Sequence, residues 1–314
     1  SDHGGPFIYH FVVLLLGCFP SSLFLILAHK KSTSDTPYQL HSKRWMMSLF
    51  WVVLILFSIV QTKIVHYSSL CYFPLTYLAT YGIQKLLSGQ YQWKKWFHGF
   101  FVVISTLLGV AFLLVGCVPI IKPWLISSNL IGDQFAIENL KANVHWSGYE
   151  WLIGIFFLGI SHFGLAKIKT GHFKFIYSLF LASLIAITSL LMIVVPKVEQ
   201  YSQRAAIEFY KQCASHGFNV ETIGMKSYAT LFYGAIDKNF KGDQSFKDYI
   251  ELKREELESK DINIDISYGL IRTHWLMDGY GNKPACFVAK INDEEVVKRN
   301  CPFLQELYRQ NGFI

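Results

Sequence analysis

The sequence predicts a polytopic α-helical membrane domain of about six transmembrane helices, residues 1–196, followed by a small extracytoplasmic α/β domain, residues 197–314. Three observations predict it. Only 16% of residues are charged and 52% are hydrophobic, against about 25% charged in an ordinary soluble domain. The missing charge is concentrated in long stretches free of Asp, Glu, Lys and Arg, as bilayer-spanning helices require. After Pro196 the four charged residue types become frequent, and the remainder reads as a water-soluble domain. The same composition, with a mean hydropathy of +0.30, excludes disorder. Six cysteines in 314 residues exclude a disulfide-dense scaffold.

The expected spans follow in order. Phe7–Ala28, Trp45–Thr62, Phe97–Ile121 and Phe175–Val195 are long and uncharged. Tyr67–Gln84 is polar at its start and carries Pro74, which is expected to break or kink it. Trp151–Ala166 is the shortest. Trp45, Trp93, Trp96, Trp124, Trp146 and Trp151 fall near predicted span ends, the position of an interfacial aromatic belt.

Charge in the connections sets the orientation. Lys30, Lys31, Lys43 and Arg44 join spans one and two; Lys85, Lys94 and Lys95 join three and four; Lys167, Lys169 and Lys174 join five and six. Basic connections face the cytoplasm. Ser1, the 122–150 connection and everything after Pro196 are therefore expected on the outer, periplasmic side of a bacterial inner membrane. The net charge of +7 reflects this topology, and no nucleic-acid partner is expected. An external N-terminus beginning Ser1-Asp2-His3, with no targeting segment, reads as an internal fragment of a longer polytopic protein.

The external part alternates helices and strands. Glu199–His216 is amphipathic, with Gly217 suited to the C′ position. Val220–Ile223, Ile262–Ile266 and Ala285–Ile291 read as strands. Ser245 is placed to cap a charged helix reaching about Lys260. Asp293–Asn300 and Pro302–Gln310 read as helices. Cys213, Cys286 and Cys301 lie here, and a Cys286–Cys301 disulfide is conceivable.

Few residues carry recognisable chemistry. Lys63, His66 and Tyr67 place a cation, an imidazole and a phenol within five positions at the outer end of span two. A lysine at membrane depth costs about 2.5–3.5 kcal/mol unless it is paired or snorkels. The cluster reads either as a snorkelling lysine between interfacial aromatic groups or as an anion site, with phosphate the natural occupant. Asp2 and His3, beside Gly4-Gly5-Pro6, are candidates for a metal or a sugar, or are simply a loop leading into a helix. His162, alone in span five, is expected to make an interhelical hydrogen bond. Lys226-Ser227-Tyr228 and Arg272-Thr273-His274-Trp275 form no known catalytic arrangement and read as surface or packing features. No phosphate-binding loop, dinucleotide fingerprint, nucleophile elbow or zinc-protease motif occurs. No predicted span holds an Asp or Glu, which argues against an ion-coupled transporter.

Residues 1–80 resemble a family. Gly5-Pro6-Phe7, Tyr9, Leu16-Gly17, Pro20, then Lys63, His66-Tyr67, Tyr72 and Pro74 recur in the order found in the later half of GT-C fold membrane glycosyltransferases. The likeness is to the lipid A aminoarabinose transferases and their phospholipid-carrier-dependent relatives, a group that includes protein mannosyltransferases. Ser21 stands where that pattern often has Trp, and Val65 where it often has Pro. Gly224-Met225-Lys226-Ser227-Tyr228 looks similar to the C-terminal domain of bacteroidete-type members. The resemblance implies transfer of a sugar from an undecaprenyl-phosphate carrier to a membrane lipid or other acceptor on the periplasmic face. It implies that Lys63, Tyr67 and His66 meet the carrier phosphate. It implies that Asp2, His3 and Tyr9 lie at the cavity mouth near the acceptor. The catalytic carboxylate, and the ligands of any divalent metal, are expected upstream of Ser1, so no catalytic residue is assigned within this chain. The alternative is a non-enzymatic membrane scaffold or flippase-like protein with a periplasmic binding domain.

Overall fold

The computed structural model describes residues 5–30, 35–234, 240–259 and 268–314. The chain is mostly helical. Along the first part run α1 (Tyr9–Gly17), α2 (Ser21–Ala28), α3 (Pro37–Ile59), α4 (Tyr72–Leu87) and α5 (Lys95–Gly116). Then come α6 (Val118–Ser127), α7 (Gln134–Leu140), α8 (Leu152–Lys169), α9 (Ile176–Ser189) and α10 (Val195–Ser202). The last part holds α11 (Arg204–Ser215), β1 (Asn219–Thr222), α12 (Tyr228–Tyr233), α13 (Gln244–Ser259), α14 (Tyr268–Met277), β2 (Ala285–Val288) and α15 (Glu294–Asn300). Two compact units result: residues 1–118 with 147–194, and residues 119–146 with 195–314. The division near residue 195 lies beside the expected boundary, and the 119–146 connection groups with the C-terminal unit.

Among the described residues four helical runs are long and apolar enough to cross a membrane: 37–59, 95–116, 152–169 and 173–202. The expected count of six is not reached by this measure. The Phe7–Ala28 stretch is a bent pair, with α1 and α2 meeting at 107° across Cys18-Phe19-Pro20. Counting it as one broken span gives five. The Tyr67–Gln84 stretch divides into a 3-10 turn over Val65–Cys71 and the 16-residue α4. Pro74 does not kink α4; it sits in the first turn, where its missing N–H has no intrahelical acceptor to lose. Pro196 likewise leaves its helix unbroken. A π-helical turn at Leu190–Val194 immediately precedes α10, and such a widened turn relieves the clash of the ring with the preceding carbonyls.

Local chemistry fixes the ends. Thr36 Oγ1 accepts from Gln39 N at 3.3 Å and Gln39 Oε1 accepts from Thr36 N at 3.1 Å, a capping box with Pro37 at the first position of α3. Glu150 accepts from Ser147 N at 2.8 Å and Gly148 N at 2.9 Å just before α8, where a carboxylate also complements the helix dipole.

Helices α2 and α4 hold two apolar clusters together. On one side Phe24 and Leu27 pack with Phe97, Phe101, Phe157 and Leu179. On the other, Leu14 and Leu25 pack with Phe50, Val53, Leu75 and Leu78. The opposite stripe of α3, with Val52, Leu56 and Ile59 at helical spacing, is exposed, as a lipid-facing surface would be. Helices α5 and α8 approach through glycines. A Cβ on Gly154 would lie 2.5 Å from Leu113 N, and one on Gly109 2.4 Å from Leu158 Cγ. His162 makes the expected interhelical bond, Nε2 to Thr106 Oγ1 at 3.1 Å.

The second unit contains a parallel two-stranded sheet, with Val220 opposite Cys286 and Thr222 opposite Val288. The connection from β1 to β2 carries α12, α13 and α14. Phe313 and Ile314 extend the sheet edge in the antiparallel sense: Ile314 N donates to Ala289 O at 3.0 Å and Ala289 N to Ile314 O at 2.9 Å. The 119–146 segment joins this unit through Asp133, which accepts from Asn292 Nδ2 at 2.7 Å and from Phe135 N at 3.0 Å. Those bonds, the Asn292 one foremost, hold the Asp133 carboxyl below its ordinary range.

Several expectations change here. Glu199–His216 is two helices meeting at Gln203, and Gly217 takes the expected positive φ of 74°. Asp243, not Ser245, caps α13, accepting from Ser245 N at 2.9 Å. Pro302–Gln310 is irregular; Leu307 and Phe303 stay exposed, so no apolar face is buried to stabilise a helix. Arg309 ties this segment to Glu294 at 2.7 Å and Glu306 at 2.8 Å, and Arg309 with Lys298 lowers the Glu294 carboxyl to about 2. The Ile262–Ile266 strand lies outside the described residues. All six cysteines are free thiols. The thiol beside Cys286 is that of Cys213, pushed up to about 12 chiefly by burial, so the Cys286–Cys301 pairing is not formed.

Candidate functional site

The outer end of α3 brings together part of the expected cluster. Helix α3 stops at Ile59, and Val60 is extended. The chain then turns so that Lys63 reaches back over the helix terminus. Its Nζ donates to Ser58 O at 2.6 Å, Val60 O at 2.6 Å and Phe57 O at 3.4 Å. The last carbonyls of a helix lack intrahelical donors and carry partial negative charge, which a lysine ammonium offsets. Gly5 lies against the stem of this lysine: a Cβ there would come 2.7 Å from Lys63 Cγ. The Gly5-Pro6-Phe7 segment and Lys63 are thus neighbours in space as well as partners in the sequence pattern.

His66 and Tyr67 follow in the 3-10 turn. His66 is exposed. Tyr67 is 37% exposed, and its ring stands 5.4 Å from that of Phe57. Its hydroxyl has no hydrogen-bond partner among the described residues, which leaves it available as a donor. Tyr9 begins α1, with its ring edge-on to His10 at 5.1 Å. Asp2 and His3 lie outside the described residues.

His10 is a residue that pattern reading missed. It is fully buried, and neither ring nitrogen has a hydrogen-bond partner among the described residues. It lies within electrostatic reach of Lys63. Ser58, whose carbonyl receives Lys63, is also buried, with its own hydroxyl unpaired among the described residues. Unpaired polar groups in apolar surroundings cost about 1–3 kcal/mol each, so His10 and Ser58 hold polar capacity that the described residues leave unused. The only signal for His10 in the sequence is an imidazole inside an uncharged run.

A second polar cluster sits in the same unit, among residues first noted as basic connections. Asp35 pairs with Lys85 at 2.7 Å, with the two side chains 2% and 8% exposed. Tyr81 Oη donates to Asp35 Oδ2 at 2.5 Å. Lys43 Nζ stands 4.6 Å over the Tyr81 ring and donates to Lys30 O at 2.7 Å. Tyr91 Oη donates to the same carbonyl at 3.0 Å. Burial alone would raise the Asp35 carboxyl; hydrogen bonds from Lys85 and Tyr81, with the charges of Lys85 and Lys43, outweigh it and hold the group below its ordinary range. The sequence does contain a signal for it, because Asp35 is the sole acid between Asp2 and Asp133. Asp35 offsets the charge of Lys85, and the Lys30 carbonyl and the Tyr81 ring hold Lys43, so the cluster reads as a brace for the helix ends.

Among the described residues no group of three His, Cys, Asp or Glu is placed to hold a metal ion. No family model matches the chain, no curated protein matches it, and no solved structure matches it.

Proposed function

We propose that this chain is part of an integral-membrane glycosyltransferase that moves a sugar from a polyprenyl-phosphate carrier to a lipid or other acceptor at the periplasmic face of a bacterial inner membrane. The observation that carries the reading is the Lys63 cation packed against Gly5, with the buried His10, unpartnered among the described residues, within its electrostatic reach. The order of residues over 1–80 supports the same reading. In it, Lys63 supplies positive charge to the carrier phosphate and the free Tyr67 hydroxyl donates a hydrogen bond to it. Charge that builds on the departing phosphate as the glycosidic bond breaks is then stabilised in a site of low dielectric. The weakest of the three lysine bonds, to Phe57 O at 3.4 Å, is the one a phosphate oxygen would replace. His66 shapes the rim of this site. The reading assigns no catalytic carboxylate and no metal ligand to these residues.

A second reading has an observation of its own. Lys63 is already satisfied by the carbonyls of its own helix, as a purely structural cap in a non-enzymatic scaffold or flippase-like protein would be. Native mass spectrometry of the protein in nanodiscs with undecaprenyl phosphate separates the two. A carrier site loses at least tenfold in affinity in Lys63→Ala, with Lys63→Arg retaining most of it and Tyr67→Phe losing a smaller factor. If Lys63→Ala lowers the melting temperature while undecaprenyl phosphate binds as in the parent protein, the lysine is a cap and the carrier reading fails.

A further inference from the structure

The unit formed by residues 119–146 and 195–314 contains a cleft that none of the chemistry above uses. Its volume is about 840 Å³, within the range of sites that enclose small organic ligands. It opens at the carboxyl end of β1, where Glu221 and Thr222 pass into the Gly224–Ser227 turn, and its far wall is the face of α14 carrying Gly269, Leu270, Thr273, His274 and Met277. The crevice outside the carboxyl ends of parallel strands is where open α/β folds collect ligands, because the strand ends leave backbone and turn side chains unpaired there.

The lining is divided in chemistry. Met225, Leu231, Leu270, Met277, Val296 and Phe303 give it a largely apolar interior. Two cations, Lys226 and Arg272, and the imidazole of His274 border it. Two acids do so as well, Glu221 and Asp278, and both are engaged. Glu221 is paired with Arg272, and Asp278 accepts from Tyr249 Oη at 2.8 Å. Lys226 is exposed and has no partner among the described residues, and His274 is half-buried with a side chain equally without one. Arg272 is 3% exposed; one guanidinium nitrogen meets Glu221 and Val220 O, and its Nε has no partner among the described residues. Among the described residues the cleft thus keeps an unpaired ammonium at Lys226 and an unpaired imidazole at His274, set against an apolar floor. Gly224, at φ 73°, keeps the turn low, with Asp293 packed where a Cβ would sit.

We propose that this cleft binds an anionic amphiphile, with a phosphate or carboxylate head group at Lys226 and His274 and an alkyl body along Met225, Leu270 and Met277. The site lies wholly within one unit and does not rest on the carrier-phosphate reading. An acidic ligand would meet two donors that the described residues leave unpaired, and its chain would cover apolar side chains that otherwise face water at about 25 cal/mol per Å².

Photolabelling of the full chain in nanodiscs tests it, with a diazirine-bearing decyl phosphate as probe and peptide mass spectrometry as readout. Labels should map to Gly224–Leu231 and Tyr268–Asp278. Octyl phosphate or octanoate should compete, and the more effective of the two identifies the head group. Octyl glucoside should not compete. The Lys226→Ala/His274→Ala double variant, at exposed and half-exposed positions, should keep its melting temperature and label at least fivefold less. Equal competition by octyl glucoside, undiminished labelling of the double variant, or labels confined to the apolar spans would each overturn the proposal.

Discussion

Asp35 shows how one side chain can brace several helix ends. Its bonded partners, Lys85 and Tyr81, come from α4, Lys43 of α3 adds its charge, and both members of the ion pair are almost inaccessible. Removing one partner of such a pair strands the other in low dielectric, at about 3–5 kcal/mol. Asp35→Asn is therefore expected to lower stability by that order, read as a drop in denaturation midpoint in detergent. Asp35→Leu with Lys85→Met should recover much of the loss, because two apolar groups leave no charge behind. The pH dependence follows from the depressed carboxyl. A group whose folded pKa lies below its unfolded value stabilises the fold fully above the ordinary carboxylate range, about pH 4, and loses that contribution as pH falls through the folded value. The parent protein should thus lose stability on acidification below about pH 4, and Asp35→Asn should lose less over the same interval.

Contact between helices α5 and α8 depends on positions with no side chain. Gly109 and Gly116 on α5 and Gly154 on α8 each face atoms of the other helix or its leading turn at distances a Cβ cannot share. Close approach through small residues is the usual basis of helix association in lipid, where apolar burial gives no preference for protein over acyl chain. Gly154→Ala would bring its methyl to 2.5 Å from Leu113 N. Backbone cannot swing aside as a side chain can, so a loss of about 1–3 kcal/mol is expected. Gly159, on the same helix, has nothing within 4 Å of its virtual Cβ. Gly159→Ala should be neutral or stabilising by up to about 1 kcal/mol. Parallel unfolding curves for the two variants check the contrast; equal behaviour would mean the α5–α8 contact is looser than described.

At the scale of the whole molecule, basic residues set the expected orientation. Cysteines introduced at Lys226 and at Lys94 should react on opposite sides of the membrane: a membrane-impermeant maleimide applied to intact spheroplasts should label position 226 and spare position 94. The reverse pattern would invert the assignment of sides. The fold itself was largely readable where one physical constraint dominates. Uncharged runs gave α3, α5, α8 and α9, because lipid tolerates no unpaired backbone and few charges. The short alternating runs at 220–223 and 285–291 gave β1 and β2. The reading failed where contacts between distant residues decide. The bend between α1 and α2, the shortness of α4 and the irregular 302–310 segment leave no periodic trace. Of the candidate site, Lys63 and Tyr67 stand out as polar groups at a span end, but His10 is recognisable only once burial is known.

The sequence by itself determined which stretches can leave water and which cannot, since transfer of charge and backbone is a local cost that each segment bears alone. It also determined the caps at Thr36 and Gly217, which are settled within a few residues. The tertiary structure alone decided how polar groups are shared. It spent the Lys63 ammonium on the carbonyls of its own helix, sealed Asp35 between Lys85 and Tyr81, left His10 unpaired, and set Lys226, Arg272 and His274 around one cleft. Pairing depends on distance in space, and residues such as Asp35 and Tyr81, 46 positions apart in the chain, acquire that distance only when the helices pack.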